Sequence, residues 1–284
     1  MGEIIYGSEL SQEIKETLKN EIKSLLQASK RIPKLVVILI GDNSASLSYI
    51  KGKSKACEEV GFSFELQRFN EDVQTETVIQ AIQAYNQDAS VDGILVQMPI
   101  PNHLDKEEII DCIDPSKDVD GFHTINVGKL YNGKVGFVPC TPLGIIEILK
   151  SIPIPIAGKN AVVLGRSHLV GTPVAQLLLK ENASVTICHS KTQDIEGHCK
   201  RADILVVAIG SRHFVKGDWI KEGAVVIDVG VNRHEDGKLY GDVEFESAKE
   251  KASYITPVPK GVGPMTIAML LMNTWKAYCN KEGI

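Results

Sequence analysis

Short β-branched runs recur along the chain in two sets, each divided by stretches of helical periodicity, and this alternation limits the possible folds more than any other feature. The first set is KLVVILI (34–40), SFELQRF (63–69) and VDGILVQ (91–97), with helical patterns at 46–60 and 75–87 between them. The second is NAVVLG (160–165), SVTICH (184–189), DILVVAIG (203–210) and AVVIDVG (224–230). Apolar runs this short, bounded by turn residues, suit strands buried on both faces of parallel sheets, with the intervening helices as their cover. An amphipathic helix over 8–28, carrying Leu10, Ile14, Leu18, Ile22 and Leu25 at helical spacing, precedes the first set, and a last helix over 265–279 follows the second. A segment rich in Gly, Asn and Pro, 121–142, breaks the rhythm between them. The expected fold class is therefore α/β with two domains: an N-terminal α/β domain over 1–138 and a Rossmann-like domain over 139–264, followed by the terminal helix segment 265–284. The 284 residues suffice for two cores of ordinary size.

Composition then narrows the partners. A formal net charge of −5 with no Lys/Arg cluster gives no general attraction to nucleic acid or anionic lipid, and a small-molecule partner is expected. No apolar stretch approaches the ~18 residues that suggest a membrane span. No signal-peptide pattern opens the sequence, and Tyr6 stands where a myristoylation motif needs Ser or Thr. The six cysteines form no Cys-x-x-Cys pair and read as reduced thiols of a cytoplasmic protein. The doublets Cys188-His189 and His198-Cys199 lack the spacing of zinc sites, so no metal is expected. Neither a Gly-x-Ser-x-Gly elbow nor a His-Glu-x-x-His helix is present, which removes support for nucleophilic hydrolases and zinc peptidases.

The stretch AVVLGRSHLVGTP (161–173) runs from a strand through Gly165, Arg166, Ser167 and Gly171 into a helix opened by Thr172-Pro173. Such a turn presents backbone N–H groups and the positive end of a helix, which suits phosphate, although the five residues between the glycines depart from the common dinucleotide spacing. In nicotinamide sites the end of the second strand discriminates cofactors, because an acid there binds a ribose 2′-hydroxyl and repels a 2′-phosphate. Here that place reads Cys188-His189-Ser190-Lys191-Thr192, without an acid, and NADP is favoured over NAD. A plain solvated loop is the alternative.

In the first half, Tyr49 and Lys53 stand four apart beside a helix face marked by Leu47, Ile50, Ser54 and Cys57. Gly52 inside that helix hints at a close approach to its backbone. Gln97 falls at the C-terminal end of a strand, where open α/β sheets place ligand contacts, and Met98-Pro99-Ile100-Pro101 fixes the exit. Asp118 and Asp120, in DVDGF, are either a turn and cap feature or a polar clamp.

With these residues in view, the chain resembles the bifunctional methylenetetrahydrofolate dehydrogenase/methenyltetrahydrofolate cyclohydrolase family over nearly its whole length. The resemblance is carried by SYIKGKSKAC (48–57), DGILVQMPIP (92–101), DVDGF (118–122), PCTP (139–142), GRSHLVGTP (165–173), VIDVGVN (226–232), GDVEF (241–245) and TPVPKGVGPMT (256–266). It implies oxidation of a tetrahydrofolate derivative with NADP and hydration of the product to 10-formyltetrahydrofolate, in a folate cleft between the domains of a homodimer whose final helix returns to the first domain. It further implies Lys53 as the catalytic lysine, Gln97 as its modulating partner, Tyr49 as the ring stacked on the pterin side and Asp120 as the pterin carboxylate. Gly263 and Pro264 join the substrate contacts, while Gly165, Arg166, Ser167, Gly171, Ser190 and Val231 are the cofactor positions. One departure stands out: the family's Pro-Gly-Gly-Val-Gly-Pro is here Pro259-Lys260-Gly261-Val262-Gly263-Pro264. Either position 260 needs no positive φ, or Lys260 carries strain there in return for a charge facing an anionic ligand group.

Overall fold

The computed structural model describes residues 1–284. The chain opens with β1 (Glu3–Ile4) and α1 (Gly7–Gln27), then alternates β2 (Lys34–Ile40), α2 (Ser44–Val60), β3 (Ser63–Phe69), α3 (Thr75–Gln87) and β4 (Gly93–Val96). Three helices follow, α4 (Lys106–Asp111), α5 (Thr124–Tyr131) and α6 (Cys140–Lys150). The second alternation is β5 (Asn160–Leu164), α7 (Gly171–Lys180), β6 (Ser184–Cys188), α8 (Ile195–Arg201), β7 (Ile204–Val207) and β8 (Val225–Asp228). A small hairpin, β9 (Asn232–Arg233) with β10 (Leu239–Tyr240), then α9 (Phe245–Lys251), β11 (Tyr254–Ile255) and α10 (Val262–Glu282) complete the chain. No helix is long and apolar enough to cross a membrane.

The elements form two compact units, one comprising Gln12–Cys140 with Ile267–Ile284, the other Met1–Ser11 with Thr141–Thr266. In the first, a parallel sheet of order β3-β2-β4 has its central strand buried on both faces, from Leu35 to Ile40. Val36, Ile38 and Ile40 pack with Val78 and Ile82 of α3 and with Ile109 of α4. Gly61 stops α2 in a left-handed cap at φ 86°, its N–H donating to the carbonyls of Cys57 and Glu58. The other unit is a six-stranded parallel sheet of order β1-β11-β8-β7-β5-β6 over a core that includes Val162, Leu164, Leu205, Val207 and Val226.

The first residues depart from the range read off the sequence. Met1–Ser11 belong with 141–266 because β1 pairs in parallel with β11 at the sheet edge, a two-residue pairing with too little apolar periodicity to register as a strand beforehand. The runs 203–210 and 224–230 also extend past their strands: Ile209-Gly210 and Val229-Gly230 are loop, held by interactions set out below.

Candidate functional site

Within the unit carrying β2–β4, three sequence-predicted residues meet. Asn43 caps α2, its side-chain oxygen accepting from the N–H groups of Ala45 and Ser46, and the buried Ser46 hydroxyl donates to the carbonyl of Met98 at 3.4 Å. The helix start is thus tied to the exit of β4, and Lys53, two turns on, faces that exit. Its Nζ donates to Gln97 Oε1 at 2.8 Å, while Gln97 Nε2 donates to the Met98 carbonyl at 2.8 Å. Gln97 is itself fixed by its backbone N–H to Ile38 O at 2.9 Å and is only 8 % exposed. Both ends of the amide are therefore committed, and Oε1 is presented to the lysine.

The two acids of DVDGF divide the alternatives between them. Asp118 is buried and organises the turn: Oδ1 accepts from the N–H of Gly121 and Phe122, and Oδ2 from the His123 N–H and the Asn126 side chain. Gly121 sits at φ 74°, where a Cβ would lie 2.6 Å from the Val138 carbonyl carbon, so this turn closes against 138–139 only with glycine. Asp120, half-buried, is left to face Lys53. Burial lowers the Lys53 pKa from the ordinary ammonium value, against the opposing pull of the Asp120 carboxylate. Burial likewise raises Asp120, with Lys53 pulling it back down. The result is a desolvated amine whose neutral form is accessible, oriented by an amide and adjacent to a carboxylate.

Cys140 of PCTP joins the cluster, although nothing in its sequence context points there. Its thiol is buried beside Asp120, and that burial, with the Asp120 charge, raises it well above the ordinary thiol range, so it remains a neutral group there. Asn273 of α10 donates to the carbonyls of Val119 and Val138 at 2.8 and 3.0 Å, holding both loops that carry the cluster. A polar residue inside an apolar helix, NTWK after AMLLM, was the only available signal for it.

Tyr49 lies one turn before Lys53 and is 53 % exposed, a ring without a core to fill. Gly52 does not mark a tight backbone approach: a Cβ there would meet only Ile267 Cδ1 at 3.4 Å, an ordinary contact.

In the other unit, Gly165 and Gly171 explain the unusual spacing. Gly165 has φ 118° and a Cβ on it would lie 2.3 Å from Ala208 O; one on Gly171 would lie 2.2 Å from Gly165 O. The two glycines pack backbone to backbone, closing the loop from β5 into α7. Ser167 completes it, its hydroxyl accepting from Val170 N–H at 3.2 Å and its carbonyl accepting from Thr172 N–H at 3.1 Å. Since β5 and β6 are paired through Leu164 and Cys188, the exits carrying Arg166-Ser167 and His189-Ser190 are neighbours. Arg166, Ser167 and Ser190 are all exposed. This donor set, one guanidinium and two hydroxyls with no acid, fits a dinucleotide bearing a 2′-phosphate. Val231, 49 % exposed, follows β8. Gly263 and Pro264 occupy the first turn of α10, with open space at Gly263. Lys260 has φ 82°, so position 260 does take the left-handed region, and the lysine side chain there is exposed.

Comparison with known proteins divides the chain near the same point between its two halves, while assigning 5–11 and 267–282 to the opposite halves from the compact units. Residues 5–120 match the model of the tetrahydrofolate dehydrogenase/cyclohydrolase catalytic domain, and residues 139–282 that of the tetrahydrofolate dehydrogenase/cyclohydrolase NAD(P)-binding domain. The bifunctional protein FolD of Bacillus licheniformis is 56 % identical over 274 residues, 96 % of each chain. The crystal structure of the bifunctional FolD methylenetetrahydrofolate dehydrogenase/cyclohydrolase from Campylobacter jejuni, 48 % identical, superposes with a TM-score of 0.97 over 99 % of both chains. That of the Trypanosoma brucei enzyme, complexed with NADP cofactor and an inhibitor, is 37 % identical with a TM-score of 0.95, over 100 % of this chain and 99 % of that one.

Proposed function

The chain belongs to the tetrahydrofolate dehydrogenase/cyclohydrolase family, and we propose that Lys53, Gln97, Asp120 and Tyr49 perform its two reactions on one folate. The enzyme oxidises 5,10-methylenetetrahydrofolate to the methenyl form with NADP, then hydrolyses that to 10-formyltetrahydrofolate. The observation that carries the assignment of roles is the half-buried Lys53 amine, its pKa lowered by burial, hydrogen-bonded to Gln97 and adjacent to Asp120.

The two steps make different demands. A hydride departs from a carbon flanked by two nitrogens whose lone pairs delocalise the resulting cation, so the first step requires positioning and no protein-borne acid or base. NADP, when bound, supplies the hydride acceptor. In the second step water adds to the amidinium carbon, loses a proton, and one C–N bond opens as its nitrogen gains one. Neutral Lys53 takes the proton from water and, as the ammonium, returns it to the departing nitrogen. Gln97 Oε1 holds the amine in place for both transfers. An ionised Asp120 accepts from a ring N–H and an exocyclic amine of the pterin together, and Tyr49 offers its exposed ring as a stacking face. The selection of NADP rests on Arg166, Ser167 and Ser190, with Gly165, Gly171 and Val231 shaping the cofactor's surface.

The homodimer is part of the same proposal: β6 ends its sheet as an unpaired edge, with Ile187 exposed on it and Leu179 exposed on the adjoining α7. A second copy of this chain is the partner that covers it, and sedimentation equilibrium tests this. All six cysteines are free thiols, which supports a reducing, cytoplasmic location. The function itself is tested by following NADPH and methenyl-folate absorbance together with purified protein. A protein that produces neither NADPH from methylene-folate nor formyl-folate from methenyl-folate would refute it.

A further inference from the structure

The acids of two sequence motifs, Asp228 of VIDVGVN and Asp242 of GDVEF, have no role in the reactions above, and they come together. Asp242 is fully buried and accepts four hydrogen bonds. Its Oδ2 takes the backbone N–H of Ile209 at 2.8 Å and Gly210 at 2.9 Å, and its Oδ1 takes the Ser211 N–H at 2.8 Å and the Asn232 side-chain amide at 2.9 Å. Asp228, 3 % exposed at the end of β8, lies behind it and accepts from the N–H groups of Gly230, Asp242 and Val243 at 3.0, 2.9 and 2.9 Å. Every one of these bonds comes from an N–H group. The backbone is cut to fit: a Cβ on Gly230 would lie 2.3 Å from Asp242 Cγ, and one on Gly241 would lie 1.8 Å from Asp228 Oδ2.

The segments so held are those that leave the C-terminal ends of two neighbouring strands. Residues 209–211 follow β7 and 229–232 follow β8, and open α/β sheets take dinucleotides at that edge. Ile209 is 36 % exposed and Val231 49 % exposed, so each loop turns an apolar side chain outward while its N–H groups are drawn inward to a carboxylate. Three successive N–H groups, of the kind that binds anions, are already satisfied by Asp242. What the loops offer a ligand is a fixed apolar surface.

We propose that Asp242 is a positioning residue for NADP: by gathering 209–211 and Asn232 onto one buried carboxylate, it presets the two loops against which the cofactor lies. This rests on the reading of the unit as an NADP site. It assigns Asp242 no contact with the cofactor and no part in folate chemistry.

The test exploits the two activities of one chain. Asp242→Asn is isosteric, but all four acceptor positions are in use, so in either orientation its amide NH2 faces two N–H donors. Calorimetric titration should show NADP binding weakened roughly tenfold or more, with a parallel rise in KM for NADP. Hydration of methenyl-folate, which consumes no cofactor, should keep its rate within about twofold. Asn232→Ser, which leaves the three backbone N–H bonds of Asp242 intact, should weaken NADP binding by a smaller factor of a few-fold and decides the matter if the first variant does not fold. Unchanged NADP affinity in a folded Asp242→Asn protein, or in Asn232→Ser when only that variant folds, would overturn the proposal. So would loss of hydration in proportion to dehydrogenation, since a general structural defect predicts that. Wild-type protein that binds no NADP would overturn the functional reading beneath it, a result separate from tight wild-type binding that the variants share.

Discussion

Lys53→Met separates the two reactions because it removes the amine and keeps most of the side chain's bulk. Its effect on stability is a difference of two contributions. Gln97, 8 % exposed, loses the donor to its Oε1, and a stranded buried acceptor costs about 1–3 kcal/mol. Against that, the chain no longer buries an amine whose lowered pKa records an unfavourable desolvation of the charge. The two oppose, and the variant should remain folded by circular dichroism. Catalysis is not compensated in this way. Losing a general acid/base lowers the rate by ~100- to 10,000-fold, or about 2.7–5.4 kcal/mol of barrier. Hydration should fall by that factor, while dehydrogenation, which needs only positioning, should fall less than about tenfold. Methenyl-folate should then accumulate beside NADPH in a two-wavelength assay. Equal, proportionate losses in both rates would mean that Lys53 only positions substrate, and undiminished hydration would remove it from the mechanism. The same residue predicts a pH dependence of stability. Since the folded pKa lies below 10.5 and the unfolded chain keeps the ordinary value, the unfolded state holds more protons between the two. Wild-type stability should rise with pH through that window, and Lys53→Met should lack the rise.

Asp120→Asn removes the carboxylate that pulls the Lys53 pKa upward, so the rising limb of the hydration pH profile should move to lower pH, and calorimetry should show folate binding weakened by about 1–3 kcal/mol; a limb that stays or moves upward contradicts the coupling. Arg166→Ala should raise KM for NADP far more than for NAD in steady-state kinetics, and equal changes would show that the guanidinium does not meet the 2′-phosphate. Lys260→Gly relieves a left-handed lysine, worth ~1–2 kcal/mol, against a glycine's extra unfolded-state entropy of ~0.5–1 kcal/mol. A melting temperature at or slightly above the wild-type value, with unchanged NADP affinity at low and high salt, is expected; a clear fall in either would mean that the lysine makes a contact of its own.

Strand and helix order was legible because burial on both faces leaves a nearly unmixed apolar run, as in KLVVILI, whose bounds coincide with β2. The pairing of β1 with β11 was not, since two residues, Glu3 and Ile4, carry no periodicity and join a strand 251 positions away. At position 260 sequence could frame the question of positive φ but not answer it, because the conformation is imposed by the turn and not by the residue.

The site divides along the same line. Lys53 on a helix stripe, Gln97 at a strand exit and the acid pair of a glycine turn could be picked out as candidates, and the structure brings Lys53, Gln97 and Asp120 together. Asp118 and Asp120 could not be told apart, since spacing in DVDGF gives no information on which acid receives the N–H groups of 121–123. Asp228 and Asp242 were harder still. A carboxylate with less than 4 % exposure and only N–H partners runs against the expectation that acids lie at the surface or beside a cation. In place of a cation stands a set of backbone dipoles, three N–H groups on Asp228 and three on Asp242, converging from loops far apart in sequence, though at Asp228 burial outweighs them and raises the carboxyl to about 7. No single segment encodes that convergence. The glycines at 230 and 241 are its local trace, legible only once the atoms that a Cβ would strike are known.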